Sequence, residues 1–482
     1  MSRSPASDAS KAPENLSRRR FVAVGALAGA GAALSALPGS AAPPGAAGPS
    51  VPAAVVRRTS RARNVIFMVS DGMSTGTLTL ADMAIERRHG RRSWWCRAWE
   101  MPGARRASVR THAADSLVTD SAAGGSAWGI GRNVANGAVN VLVDGSSVTP
   151  IMVRARAVGM RTGLVTTTRI TDATPASFIA NVRSRSQEQV VAEQLLVRGV
   201  DCLLGGGSTY FPKHLLDQHR DLTLAANVEE LTAAAAKEGR LLGLFAKGSM
   251  SFELDRDAST PSLAAMAQCA LDRLSDAADR DASGFLLQVE GGRVDHAAHG
   301  NDAASLVVDQ IAFDDALGVA LRFASERDDT LVIVTTDHGN ANPGLTLYGL
   351  AGDEGFARLL GARHSFEWIQ ERLGGTVDVR ESAESLPGLV LEATGIQLAD
   401  EEIAWLRRKM VERARINGFG PADAPESALA AVLANSNGVA FMSTNHTCDL
   451  VDAVAIGPGA DVLKPVVDNT ELHGVMVAAL GL

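Results

Sequence analysis

Aromatic residues, cysteine and excess positive charge are all scarce in this chain. Phe, Trp and Tyr make up 4% of 482 residues, only two of them Tyr. That speaks against a surface built on stacking rings. The four cysteines, Cys96, Cys202, Cys269 and Cys448, form no C-x-x-C pair, so no cysteine-ligated zinc signature is present. In an oxidising compartment four allow three full pairings; otherwise they stay isolated thiols. The formal net charge is -8, and Lys and Arg are scattered beyond the extreme N-terminus. With no basic stripe to track a phosphate backbone, nucleic-acid-specific binding is not expected. The apolar run 22–37 is shorter and less apolar than the roughly 20 residues a membrane span needs, so the mature chain should carry no stable span.

Gly is abundant at 47 residues and hydrophobic residues reach 46%. That suits many tight turns and a large core, in one big domain or one domain with an appended piece. Ser17-Arg18-Arg19-Arg20-Phe21 precedes the apolar run, and Pro38, Gly39 and small residues follow it to Ala42. Residues 1–42 therefore read as an export signal, its paired arginines and Phe pointing to the twin-arginine route, with a periplasmic or secreted destination. Residues 43–60 read as a flexible leader and 61–482 as the folded domain.

Short apolar runs recur, each ending in a polar cluster. Val65-Ile66-Phe67-Met68-Val69 meets Ser70-Asp71-Gly72, and Phe285-Leu286-Leu287-Gln288-Val289 meets Glu290-Gly291-Gly292. Leu331-Val332-Ile333-Val334-Thr335 meets Thr336-Asp337-His338-Gly339, and the run 163–168 precedes Asp172-Ala173-Thr174-Pro175. Runs of this kind suit strands buried on both faces. Helical patterns at 187–198, 263–278 and 301–326 lie between them. The expected fold class is α/β: a doubly wound, mostly parallel central sheet with helices on both faces. Residues 344–440 have weaker strand signals and a helical run at 400–416, and read as an inserted cap or surface segment.

In such sheets ligands sit outside the carboxyl ends of the strands. Several acids gathered there with histidines would repel one another unless cations lay between them. Asp295 and His299 are four apart, on one face of a helix, and can reach one cation. Asp337 and His338 follow a strand directly, and Gly339 permits a turn there. Nitrogen and carboxylate donors suit zinc, while carboxylate and hydroxyl oxygens suit magnesium. Ser121, in Thr119-Asp120-Ser121-Ala122-Ala123, reads either as part of a helix cap or as a nucleophile at a helix N-terminus.

Six motifs, in order, resemble those of the alkaline phosphatase family: Asp71-Gly72-Met73, Thr119 to Ala123, Asp172 to Ala176, Glu290 to His296, Thr336 to Gly339, and Thr444-Asn445-His446-Thr447. The resemblance thins between Gly344 and Phe441. It implies hydrolysis of phosphate monoesters through a phosphoserine on Ser121, with two zinc ions and one magnesium. Asp295, His299 and His446 would hold the first zinc, and Asp71, Asp337 and His338 the second. Asp71, Thr174 and Glu290 would hold magnesium, with Asp172 supporting it. Arg185 aligns with the arginine that grips phosphate, with Arg183 as a rival, and Asp120 would orient it. A homodimer is the family's usual form. A phosphodiesterase on the same fold, or a metal- or phosphate-binding protein without turnover, are the competing readings. Cys448 reads as a packed thiol.

Overall fold

A computed structural model of the chain describes residues 61–281, 283–373, 385–412 and 425–482. The export signal and leader expected over 1–60, and the end of the helical run expected at 400–416, lie outside them.

Eight strands come first in chain order: β1 (Asn64–Val69), β2 (Arg105–Arg110), β3 (Arg161–Arg169), β4 (Cys202–Gly206), β5 (Leu222–Ala225), β6 (Arg240–Leu244), β7 (Phe285–Glu290) and β8 (Thr330–Thr335). Four two-residue strands follow: β9 (Gly339–Asn340), β10 (Gly344–Leu345), β11 (Val439–Ala440) and β12 (His446–Thr447). The last two are β13 (Val451–Ile456) and β14 (Val466–Asp468). Ten of these form one sheet in the order β14-β2-β13-β8-β1-β7-β3-β4-β6-β5. All neighbours run parallel except β13, which is antiparallel to both β8 and β2.

The apolar runs form central strands because both faces are covered. Along β1, Val65, Phe67 and Val69 enter one hydrophobic cluster, while Ile66 and Met68 enter the other. Along β8, Leu331 and Ile333 divide from Val332 and Val334 in the same way. This is the two-residue period of a pleated strand with no solvent face. Full burial of each such side chain contributes about 1.5–3 kcal/mol. Helices Ser121–Ile130, Glu188–Val197 and Glu471–Leu480 cover the first face, and Leu263–Arg280 and Ala303–Ser325 the second.

Residues 344–440 leave and rejoin this body through a small ladder: Gly344 pairs with Ala440 and Leu345 with Val439, antiparallel. Between them, helices pack around a cluster of their own that includes Phe366, Ile369, Val390, Leu406 and Leu433. The segment is tied down where Phe366 N donates to Asp302 Oδ2 at 2.7 Å and where Arg293 Nη2 donates to Glu367.

Candidate active site

The strands β8, β1, β7 and β3 are consecutive neighbours, and this order gathers the acids. Asp71 follows β1, Glu290 ends β7, and Asp337 and His338 follow β8. Asp172 lies just past β3, where its carboxylate accepts from Ala173 N at 2.8 Å and caps the helix Ala173–Ser177. After Asp71 the chain must turn sharply, and Gly72 does so at φ +70°. Its N–H donates to Asp337 Oδ1 at 3.0 Å, and a Cβ there would stand 2.8 Å from Asp295 Cβ. Only glycine satisfies both demands. Asp295 and His299 rise on the helix Arg293–His299. His446 arrives from the far end of the chain on β12, which pairs with β9 so that His446 faces Asn340.

Two groups of donors result. Asp295, His299 and His446 form one, and Asp71, Asp295 and His338 form the other; within each, the donor atoms lie within 4.8 Å of one another. Asp337 belongs to the same place, with Oδ2 at 3.1 Å from His338 Nε2. Thr174 Oγ1 donates to Asp71 Oδ2 at 3.4 Å, and Glu290 accepts from Thr166 Oγ1 and, at 3.4 Å, from Thr168 Oγ1.

The imidazoles supply a test of whether cations fit. His299 Nδ1 meets Thr444 O at 2.6 Å, and His446 Nδ1 meets Thr119 O at 2.9 Å. A carbonyl only accepts, so each Nδ1 carries a proton and each ring turns its Nε2 toward the other. The two Nε2 atoms stand 2.9 Å apart, beside the Asp295 carboxylate. Two nitrogens this close need a positive charge between them, a proton or a metal ion, and the Asp295 carboxylate favours either. Asp71 Oδ1 and Asp337 Oδ2 are buried without a hydrogen-bond partner, which points the same way. The donor set fits zinc at the nitrogen-rich positions and magnesium at the oxygen-rich one.

The electrostatics agree. Burial, then the nearby Asp337, Asp295 and Glu290, hold the Asp71 carboxyl well above the usual range. Burial pushes Glu290 up to about 7, with Asp172 and Asp337 adding to it. Burial acts on Asp295 too, but His299, His338 and His446 outweigh it and hold that carboxyl well below its usual range. Burial and the neighbouring His338 bring His446 down to about 4.

Ser121 is the first residue of the helix Ser121–Ile130, and Asp120 is its cap, accepting from Ala123 N at 3.0 Å. Asp120 thus caps the helix, and the buried Ser121 Oγ lies 3.3 Å from His338 Nε2. Arg185 Nη1 reaches Asp120 Oδ2 at 3.3 Å and its Nη2 reaches Asp172 Oδ1 at 2.9 Å. Arg183, its rival, is exposed near Gly145. His296 Nδ1 accepts from Arg293 Nη1 at 2.9 Å, and its ring lies near enough to Asp172 to act on that carboxyl. The four cysteines are free, and Cys448, just past β12, is exposed rather than packed. Sequence reasoning passed over Asn340, whose Nδ2 donates to Asp295 Oδ1 at 2.7 Å, and Arg169, whose Nη2 donates to Asp172 Oδ2 at 2.7 Å. Neither lies in a local pattern that marks it.

The family model described as alkaline phosphatase matches residues 62–482. Alkaline phosphatase 4 of Bacillus subtilis is 30% identical over 434 residues, covering 87% of this chain and 88% of that one. Streptomycin-6-phosphate phosphatase of Streptomyces griseus is also 30% identical, over 87% of this chain and 91% of its own. Among solved structures, alkaline phosphatase of Thermus thermophilus superposes with a TM-score of 0.80 at 32% identity, covering 89% of this chain and 92% of that one.

Proposed function

The chain belongs to the alkaline phosphatase family, and from that membership we propose that it hydrolyses phosphate monoesters through a phosphoserine formed on Ser121. The observation that carries this reading is the position of Ser121 Oγ, at a helix start and 3.3 Å from His338 Nε2, beside the acid–imidazole cluster.

In this reading Asp295, His299 and His446 hold one zinc, and Asp71, Asp337 and His338 hold the other. Asp71, Thr174 and Glu290 hold magnesium, with Asp172 in support. Bound there, the cations would favour the ionised forms of the serine and of water and would take charge from the leaving oxygen. Ser121 Oγ attacks phosphorus in line with the ester bond. The ester oxygen departs with the bonding pair and leaves as the alcohol once protonated. Arg185 grips two non-bridging oxygens of the transferring group through its planar fork, and Asp120 Oδ2 steadies that fork from behind. Water then attacks the phosphoserine, releasing inorganic phosphate and restoring Ser121. The helix N-terminus favours negative charge on the Ser121 oxygen in both steps.

The test is hydrolysis of p-nitrophenyl phosphate against bis-p-nitrophenyl phosphate at alkaline pH with zinc and magnesium. Fast monoester turnover, abolished both by EDTA and by Ser121→Ala, is expected. Preferential cleavage of the diester would move the protein to a phosphodiesterase, and no turnover of either substrate would sink the catalytic reading.

A further inference from the structure

Two guanidinium groups hold Asp172, and the reading above uses only one of them. Arg185 Nη2 takes Oδ1 at 2.9 Å, and Arg169 Nη2 takes Oδ2 at 2.7 Å. Arg169 is in turn built into place. It ends β3 beyond a shift in the pairing with β4, and the chain is pinned there by Ile170 N donating to Gly206 O at 3.1 Å. Its Nε donates to Glu188 Oε2 at 2.8 Å and its Nη1 to Ser249 Oγ at 3.2 Å. Glu188 is itself fixed, accepting from Thr171 Oγ1 at 2.6 Å and from the Tyr210 hydroxyl at 3.1 Å. Each nitrogen of Arg169 thus donates to a protein oxygen, and the bonds to Glu188 and Ser249 fix the guanidinium against Asp172.

We propose that Arg169 is a positioning residue for Arg185: by occupying one oxygen of Asp172, it confines Arg185 to the other. A carboxylate with both oxygens free pairs with a guanidinium fork to fork, spending two N–H groups at once. With Arg169 in place, Arg185 makes one short bond to Asp172 and one longer bond, at 3.3 Å, to Asp120. The rest of its five N–H groups stay available for phosphoryl oxygens. Without Arg169, the Arg185 fork closes on Asp172 and turns away from the phosphate. The inference rests on the phosphoserine reading, in which Arg185 is the phosphate grip.

The experiment uses the full chain loaded with zinc and magnesium. Steady-state kinetics with p-nitrophenyl phosphate are paired with calorimetric titration of inorganic phosphate. In Arg169→Ala, KM and the phosphate Kd should both rise roughly tenfold, while kcat stays within roughly threefold. Arg169→Lys, which restores a single contact to Asp172, should recover part of both. Glu188→Gln loosens Arg169 without removing it, so it should move KM and Kd the same way by less; it also serves if Arg169→Ala fails to fold. A folded Arg169→Ala with unchanged KM and phosphate Kd overturns the positioning role, as does a loss confined to kcat. If Ser121→Ala turns over at the wild-type rate, the phosphoserine reading fails instead, so the two failures are distinguishable.

Discussion

Asn340 holds two parts of the site that come from distant stretches of chain. Its side chain donates to Asp295 Oδ1 at 2.7 Å, and its backbone pairs with His446 across the β9–β12 ladder. Removing the amide frees Asp295 to rotate, and an outer-shell loss of this kind costs about 10- to 100-fold in metal affinity or activity. Asn340→Ala should therefore need more zinc for half-maximal turnover, with Asn340→Asp no better because it adds a charge. Far from the site, Asp314 makes a different case. Its oxygens accept from Trp94 N at 2.9 Å and Trp95 N at 3.0 Å, with Arg91 at 3.6 Å, yet burial still pushes its carboxyl up to about 6. A folded-state value above the unfolded one means that the protonated form stabilises the fold. That stability is complete below about pH 4 and is lost as pH rises through about 6, at a cost of about 3 kcal/mol. Asp314→Asn cannot ionise, so its urea-unfolding free energy should gain on the wild type between pH 4 and pH 7. Parallel curves across that window would refute this assignment. Asp71, Asp172, Glu290, Asp337 and His338 were legible from sequence because each follows a strand end within a few residues. Asn340 was not, because Asp295 lies 45 residues away, and Arg169 was not, because the turn after β3 that brings it to Asp172 has no period to read.

The elements reach one another because glycine and alanine let them. The helix carrying Ser121 is buried along its whole length and packs against the helix Ala173–Ser177. A Cβ at Gly129 would overlap the Ser177 carbonyl, and one at Gly125 would stand 2.9 Å from Ser177 Cβ. Alanine at position 129 would improve helix propensity by about 1 kcal/mol. Overpacking against a backbone carbonyl costs about 1–3 kcal/mol, and the carbonyl has nowhere to go. The second effect should win: Gly129→Ala is expected to lower stability and, by shifting the helix that starts at Ser121, to lower kcat more than it raises KM. A variant as stable and as active as wild type would show that the contact is soft. The burial of β1 and β8 on both faces followed from their continuous apolar runs, and the helices between from their helical patterns. The antiparallel β13 and the small ladders β9–β12 and β10–β11 did not, since two-residue strands carry no period and pairing direction is settled by the distant partner.

Across the whole molecule, the site is assembled from Asp71 near one end of the described chain to His446 near the other. The sheet order makes this possible: four neighbouring strands deliver acids to one edge, and a late ladder returns His446 to the pocket. Six ordered motifs made the family legible, whereas the packing of the 344–440 segment around its own apolar cluster was beyond them, because surface helices there share no motif with the catalytic body. In the proposed reading the chemistry rests on one side chain, Ser121. Acid quenching of the zinc- and magnesium-loaded protein with inorganic phosphate, followed by peptide mass spectrometry, tests this most directly. A phosphate adduct on the peptide containing Ser121, absent from Ser121→Ala, is the expected result; an adduct on another residue, or turnover by Ser121→Ala at the wild-type rate, would contradict the account.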